Sequence, residues 1–113
     1  MAESDWILSF QDVAAQLPEE ETGVMRFHYA LRHGTMKIGL YAPVGHDTQG
    51  PHKQDELYVI AAGSGVFVKD GERRPFKARD VIFVEAGANH RFEDFSDDLA
   101  AWVIFWGPDG GEG

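Results

Sequence analysis

The fold is decided by residues 56–76, which read ELYVIAAGSGVFVKDGERRPF. Two short apolar runs, 56–60 and 65–68, are rich in β-branched and aromatic residues and are separated by small turn residues, as strands are. Asp70-Gly71 follows and supplies a strong two-residue hairpin signal. The stretch therefore predicts three consecutive strands, the last two of which form a hairpin.

Similar strand patterns lie on both sides of this stretch. Residues 25–29 and 36–40 alternate in period two, and residues 81–84, 90–92 and 101–106 are short apolar runs bounded by turn residues. About eight short strands at near-regular spacing are typical of a β-sandwich or a jelly-roll barrel. We therefore predict an all-β fold of this kind.

The two ends of the chain differ from this pattern. Residues 9–17 resemble a capped helix of one or two turns, so residues 1–22 are expected to form an N-terminal arm. Residues 23–107 then make up the barrel. Residues 108–113 are glycine-rich and polar, which predicts a flexible tail.

Composition narrows the class of protein. A chain of 113 residues with 43% hydrophobic residues fits one packed domain. The net charge of −9 disfavours nucleic acid and anionic membrane surfaces as partners. There is no cysteine for disulfides or thiolate ligands. The acidic first residues do not suit a secretion signal, and no apolar stretch approaches the ~20 residues that span a bilayer, so we predict a cytoplasmic protein.

Two segments carry candidate ligand residues at informative spacing. Residues 51–56 place His52 four residues before Glu56, and Gly63 follows after six more residues. Residues 80–92 place His90 three residues after a glycine. A lone His and Glu at this spacing is common by chance, so the signal lies in the combination of the two segments.

The two segments resemble the motifs that mark the cupin family. The first motif is G-x5-H-x-H-x3,4-E-x6-G, and His52, Glu56 and Gly63 match its second histidine, its glutamate and its last glycine. The second motif is G-x5-P-x-G-x2-H-x3-N, and Gly87 and His90 are in register with it. The resemblance implies a small single-domain cupin barrel, a jelly roll with a metal ion in its mouth.

The sequence also departs from the family pattern. Gly50 stands where the family has its first histidine, while Arg79, Glu85 and Asp94 replace the usual glycine, proline and asparagine. The full set of three histidines and one glutamate is therefore absent. His46 lies four residues before the required position and would reach a metal only if its loop curled inward.

The chemistry of the matched residues supports a metal site. His52, Gln54 and Glu56 alternate along an extended segment, so they are expected to project from one face. With His90 from another strand, two imidazoles and one carboxylate leave coordination positions open. Gln49 or Gln54 is a candidate fourth ligand through its amide oxygen. Ligand type does not choose among iron, manganese, nickel, cobalt, copper and zinc, so we predict one divalent ion of unspecified identity.

Three further residues are predicted to lie inside the barrel. Tyr58 and Ile60 share the strand parity of Glu56, and Phe92 shares that of His90. They are candidates for lining a substrate pocket or, equally, for filling the core. In a metal-free alternative, the three ligand residues would instead hydrogen-bond one another within the pocket.

The resemblance implies a metal-dependent enzyme, dioxygenase-like or isomerase-like with the dioxygenase favoured, that acts on a small oxygenated metabolite. Glu56 is then a ligand that can also accept a substrate proton, and Glu85 is a weaker second base candidate. The alternatives are a non-catalytic module that binds a sugar or another small molecule and, last, a storage protein.

The resemblance also implies a homodimer. Apolar residues 6–10 are a candidate contact surface for it, unless they cover the open end of their own barrel.

Overall fold

The structure, a computed structural model, describes residues 6–19, 25–47 and 50–113. Within these ranges one short helix precedes eight strands, which confirms the all-β prediction. The elements are α1 (Phe10–Ala14), β1 (Phe27–His33), β2 (Met36–Tyr41), β3 (Asp55–Ala62), β4 (Ser64–Lys69), β5 (Glu72–Lys77), β6 (Val81–Val84), β7 (His90–Glu93) and β8 (Ala100–Trp106). β1 extends beyond the predicted 25–29 because it pairs with β2 as far as His33.

The strands form two antiparallel sheets, ordered β1-β2-β8-β3-β6 and β5-β4-β7. The last strand, β8, lies at the centre of the larger sheet, between β2 and β3. In the smaller sheet β4 pairs with β5 and with β7. Pairing between strands distant in sequence, with the two sheets packed face to face, is the jelly-roll arrangement.

The main core lies between the two sheets. Tyr58, Ile60 and Phe92 are 0%, 1% and 2% exposed, so their predicted inward parity is correct. The ring of Phe92 meets those of Tyr58 and Phe67 edge-on, with 5.0 Å between centroids in both cases. These side chains fill the barrel interior, and a role in binding substrate stays a prediction.

The N-terminal helix covers the outer face of the larger sheet. The Ser9 hydroxyl caps it by accepting a hydrogen bond from the Asp12 amide at 3.4 Å. Val13 is fully buried against Leu40 and Ala100. The next residue in each strand, Tyr41 and Ala101, belongs to the main core on the other side of the sheet. This part of the arm therefore packs on the outside of the sheet, and the idea that it closes the open end of the barrel is wrong.

Two connections between strands depend on residues that adopt a positive φ, Asp70-Gly71 and Gly63. Asp70 and Gly71 both have positive φ, 49° and 86°, as a two-residue hairpin between β4 and β5 requires. Gly63 joins β3 to β4 with φ of +90°, and a Cβ atom there would lie 2.7 Å from the Leu99 Cα. The motif glycine is thus required both by backbone conformation and by space.

The C-terminal segment is held against the beginning of β3. The Gly110 amide donates to the Lys53 carbonyl at 2.7 Å, and the Glu112 amide donates to Asp55 Oδ2 at 2.8 Å. These contacts use backbone amides, about which a glycine-rich composition gives no information, and the flexibility expected of residues 108–113 stays a prediction. Across the described ranges, no helix has the length and apolar character needed to cross a membrane.

Candidate metal centre

His52, Glu56 and His90 meet between the two sheets. One ligand atom from each side chain lies within 4.8 Å of the other two. His52 lies just before β3, Glu56 is the second residue of β3, and His90 is the first residue of β7 in the other sheet. The structure therefore brings together the three residues that the motif spacing selected.

Two hydrogen bonds join the loop before β7 to the segment before β3. The Gly87 amide donates to the His52 carbonyl at 2.8 Å, and the Ala86 amide donates to Asp55 Oδ1 at 2.9 Å. Gly87 adopts a positive φ of 83°, which glycine reaches without strain. These bonds fix the second motif against the first and so position His90 opposite His52.

The predicted alternation over residues 52–56 holds only in part. The chain bends at residues 53–54, and β3 begins at Asp55. The amide nitrogen of Gln54 donates to the carbonyls of Thr35 and Gly107, at 3.0 and 2.9 Å. A fourth ligand from Gln54 therefore stays a prediction, and the other candidate, Gln49, lies outside the described residues.

Three buried polar atoms of Glu56 and His90 lack hydrogen bonds within the described residues. Glu56 is 1% exposed, and in the described part of the chain neither of its oxygens has a hydrogen-bond partner, nor does Nε2 of His90. Nε2 of His90 lies 3.3 Å from Glu56 Oε1, an electrostatic contact without hydrogen-bond alignment, and Nε2 of His52 lies 3.9 Å from Oε2. Buried polar atoms are almost always paired, and an unpaired buried carboxylate is costly. The group therefore has both the donor set of a metal centre and atoms that a cation would satisfy.

The ring of His90 is oriented by its other nitrogen. Nδ1 lies 2.9 Å from the Ala88 carbonyl oxygen, which can only accept a hydrogen bond. In the neutral ring Nδ1 therefore carries the proton, and Nε2 directs its lone pair toward Glu56. A backbone carbonyl that fixes the tautomer in this way is a common feature of histidines that bind metals.

The two histidines have different preferences for a proton. Burial, the largest influence, lowers the pKa of His52 below its ordinary 6.5, although the Glu56 charge opposes this. Burial also acts to lower the pKa of His90, but the contact with Glu56 and the hydrogen bond to Ala88 outweigh it, so the pKa is raised. His52 thus favours the neutral form that ligates a metal, whereas a metal would displace a more tightly held proton from His90.

Asp47 belongs to the same region, and the sequence analysis did not select it. Its Oδ1 accepts a hydrogen bond from the Tyr41 hydroxyl at 2.5 Å, and its Oδ2 accepts one from the Phe92 amide at 2.8 Å. It therefore ties the loop after β2 to β7. Its neighbour His46, the other candidate histidine, is exposed. Nothing in the spacing of the loop distinguished Asp47 from an ordinary turn residue.

Glu85, the second base candidate, forms an ion pair with Lys69 and is not part of the His52, Glu56 and His90 group. It is exposed and forms an ion pair with Lys69, with 2.9 Å between Nζ and Oε1. The hydrogen bond from Lys69 lowers the pKa of Glu85. A role as a base stays a prediction.

A cavity of about 220 Å³ opens beside His52. It is lined by Tyr29, Lys37, His52, Lys53, Gln54, Phe105 and Asp109. A larger cavity of about 540 Å³ lies between β5 and β6, and it contains none of the three ligand residues. Of these two cavities, the smaller one is lined by a residue of the candidate centre, His52.

Fold and site together define a jelly-roll protein with a His-Glu-His centre. Residues 39–106 match the family described as Cupin domain. An uncharacterised protein of Streptomyces coelicolor is 37% identical over 81 residues, which cover 70% of this chain and 77% of that protein. The chain belongs to the cupin family.

Other relatives are more distant or shorter in extent. The oxalate-binding protein of Thermotoga maritima is 42% identical over 48 residues, which is 40% of each chain. A cupin 2 conserved barrel domain protein from Salinispora arenicola has a TM-score of 0.68 at 21% identity. The superposition covers 92% of this chain and 90% of that protein's chain. The cupin domain of Schizosaccharomyces pombe Cnp3 has a TM-score of 0.70 at 9% identity, and the superposition covers 82% of this chain and 69% of that domain's chain. The two solved structures show a shared fold.

Proposed function

We propose that this protein holds one divalent metal ion through His52, Glu56 and His90 and binds a small oxygenated metabolite at the remaining coordination positions. The observation that carries the proposal is the set of three buried side-chain atoms, from Glu56 and His90, that lack hydrogen bonds within the described residues. Two imidazoles and a carboxylate suit iron, manganese, nickel, cobalt, copper or zinc.

The distances argue against the metal-free alternative. A self-contained network would need hydrogen bonds from both histidines to Glu56. The 3.9 Å between His52 Nε2 and Glu56 Oε2 is too long, and the 3.3 Å contact of His90 is not aligned as a hydrogen bond. A cation between the three side chains would satisfy all of them at once.

Of the functions compatible with such a site, we favour a metal-dependent enzyme, dioxygenase-like before isomerase-like. When bound, the metal would supply a Lewis acid or a redox centre beside the substrate. Glu56 is buried, and neither of its oxygens accepts a hydrogen bond from the described residues, so one oxygen can accept a substrate proton while the other remains a ligand. The cavity lined by His52 is the place where we expect the substrate to bind.

A non-catalytic binding module is the second candidate. It is favoured by the similarity to the Thermotoga oxalate-binding protein, 42% over 48 residues. Such a module would use the same three ligand residues and the same cavity. It would differ from an enzyme only in releasing its ligand unchanged.

Metal content tests the proposed site. Elemental analysis would be done on protein purified without a metal-chelating tag, alongside the double variant His52→Ala, His90→Ala. His33→Ala is the matched control, because His33 is an exposed histidine at the end of β1. We expect about one ion per chain in the wild type and the control, and loss of the ion in the double variant, because the three remaining histidines, His28, His33 and His46, are not part of the convergent group. A wild type that takes up no ion after dialysis against iron, manganese, nickel and zinc would contradict the proposal.

Turnover then separates the enzyme from the binding module. Metal-loaded protein would be incubated with small diols, diketones and hydroxy acids while oxygen uptake and product formation are followed. Consumption of substrate that is lost in the double variant supports the enzyme. Saturable binding with the ligand recovered unchanged supports the module.

A further inference from the structure

Lys37 lies in the same cross-strand row as Glu56. In the larger sheet Lys37 is opposite Phe105, and Phe105 is opposite Glu56 on its other side. Residues directly opposite one another on antiparallel strands share a face of the sheet. Lys37 therefore faces the barrel interior with Glu56, two strand spacings or about 10 Å away.

The Lys37 ammonium and the His52 ring contact the same aromatic side chain. Nζ of Lys37 lies 5.4 Å from the centroid of the Phe105 ring, and the centroid of the His52 ring lies 4.9 Å from it. The Tyr29 ring is 5.9 Å from the same ammonium. Lys37 and His52 thus line one cavity from neighbouring positions.

Lys37 differs in its ionic contacts from several other basic side chains of the described residues. Among the described residues, no carboxylate lies within 4.0 Å of its ammonium, although several other basic side chains have such partners: Lys69, Arg73, Arg74, Lys77 and Arg91. Lys37 is also half-buried, in a chain with a net charge of −9. Contacts with two aromatic faces compensate a lysine charge only in part. An anion in the cavity would compensate it fully.

We propose that Lys37 is an anion-binding residue of the cavity beside the metal centre, and that the ligand of this protein is a small carboxylate. The carboxylate would give oxygen atoms to the metal and direct a negatively charged oxygen toward Lys37, so the inference rests on the proposed metal function. The cavity volume of about 220 Å³ restricts the ligand to a small molecule. Lys53 lines the cavity with a second positive charge, and Asp109 lines it with a negative one.

Paired probes of equal shape and different charge test this proposal. Protein loaded with Co²⁺ would be titrated calorimetrically with oxalate and with its neutral diamide, oxamide. The proteins compared are the wild type, Lys37→Met, Lys37→Arg, and Lys77→Met as a control at an exposed lysine. Cobalt content is measured before and after each titration, because oxalate can remove metal, and thermal unfolding confirms that each variant is folded.

We expect the wild type to prefer oxalate to oxamide. Lys37→Met should lose about tenfold or more in affinity for oxalate, the usual effect of removing a charged hydrogen bond, with little change for oxamide. Lys37→Arg and Lys77→Met should keep the preference. No oxalate binding, an unchanged affinity in Lys37→Met, or an equal loss for both probes would overturn the proposal.

Failure of the metal site would be recognised separately. If the wild type retains no cobalt, the proposed function fails, and the oxalate titration is repeated on the metal-free protein. Oxalate binding that Lys37→Met weakens would then support the anion site by itself. Absent binding, or binding independent of Lys37, would overturn it.

Discussion

Asp55 and Glu56 are consecutive carboxylates at the start of β3, and they differ in their hydrogen bonding within the described residues. Asp55 accepts backbone hydrogen bonds from Ala86 at 2.9 Å and from Glu112 at 2.8 Å. Glu56 faces the interior and accepts none from the described residues. The first carboxylate therefore holds two loops together, and the second is left available for chemistry.

The role of Asp55 predicts how stability depends on pH. The amides of Glu112 and Ala86, in that order of effect, hold the pKa of Asp55 below its ordinary 3.8. A carboxylate with a lowered pKa stabilises the fold above its unfolded-state pKa, and this contribution is lost as pH falls through the folded-state pKa. Asp55→Asn should therefore lower the Tm at neutral pH, and the gap from the wild type should narrow below about pH 4. Thermal unfolding at neutral and acidic pH measures the gap, and one that stays constant would contradict this role.

Spacing predicted the ligand residues but not the residues that support them. His52, Glu56 and His90 were found because their motif positions are local in sequence. Lys37 occupies a polar position in an alternating strand, where the interior and solvent faces cannot be distinguished until the pairing with Phe105 is known. Asp47 acts through a backbone contact to a strand about 45 residues later, which no local pattern encodes.

At the scale of elements, the connection between β3 and β4 offers a direct test of close packing. Gly63 has φ of +90°, and an added Cβ would lie 2.7 Å from both the Leu99 Cα and the Ser96 Oγ. Gly71 has a similar φ of +86° with nothing within 4 Å. Gly71→Ala should therefore show the backbone cost alone, about 1–3 kcal/mol, and Gly63→Ala should show that cost plus the clash.

Urea unfolding of the two glycine variants measures this difference in the free energy of unfolding. Both variants carry a glycine-to-alanine substitution at a residue with a positive φ near 90°. The difference between their free energies of unfolding therefore measures the clash around Gly63, which includes the contact with Leu99. Equal destabilisation by the two substitutions would show that the segment around Leu99 moves away freely, contrary to the packing described here.

The elements themselves were predictable, and their arrangement was not. Period-two alternation and turn residues located the eight strands, and Asp70-Gly71 located the hairpin between β4 and β5. The sheet order depends on contacts such as those of β8 with β2 and β3, which join segments far apart in the chain. Without the family resemblance, the sequence offered no basis for choosing that order among other sandwich topologies.

At the scale of the whole molecule, we expect a homodimer. Trp6 and Ile7 are 86% and 73% exposed, while the neighbouring helix packs on the outer face of the larger sheet. Exposed apolar side chains at this position are suited to contact with a second copy. Light scattering should give twice the chain mass of 12.6 kDa for the wild type, and Trp6→Ser with Ile7→Ser should shift the equilibrium toward monomer. A wild type that stays monomeric at high concentration would contradict this expectation.

His52, Glu56 and His90 are proposed to hold one divalent ion. Crystallography of protein loaded with zinc, with data collected on both sides of the zinc absorption edge, tests this most directly. We expect one strong anomalous peak per chain, from an ion bonded to one nitrogen of each histidine and to the Glu56 carboxylate at distances of about 2.0–2.2 Å. The absence of a peak between these three side chains, or an ion held by other residues, would show that they do not form the metal site.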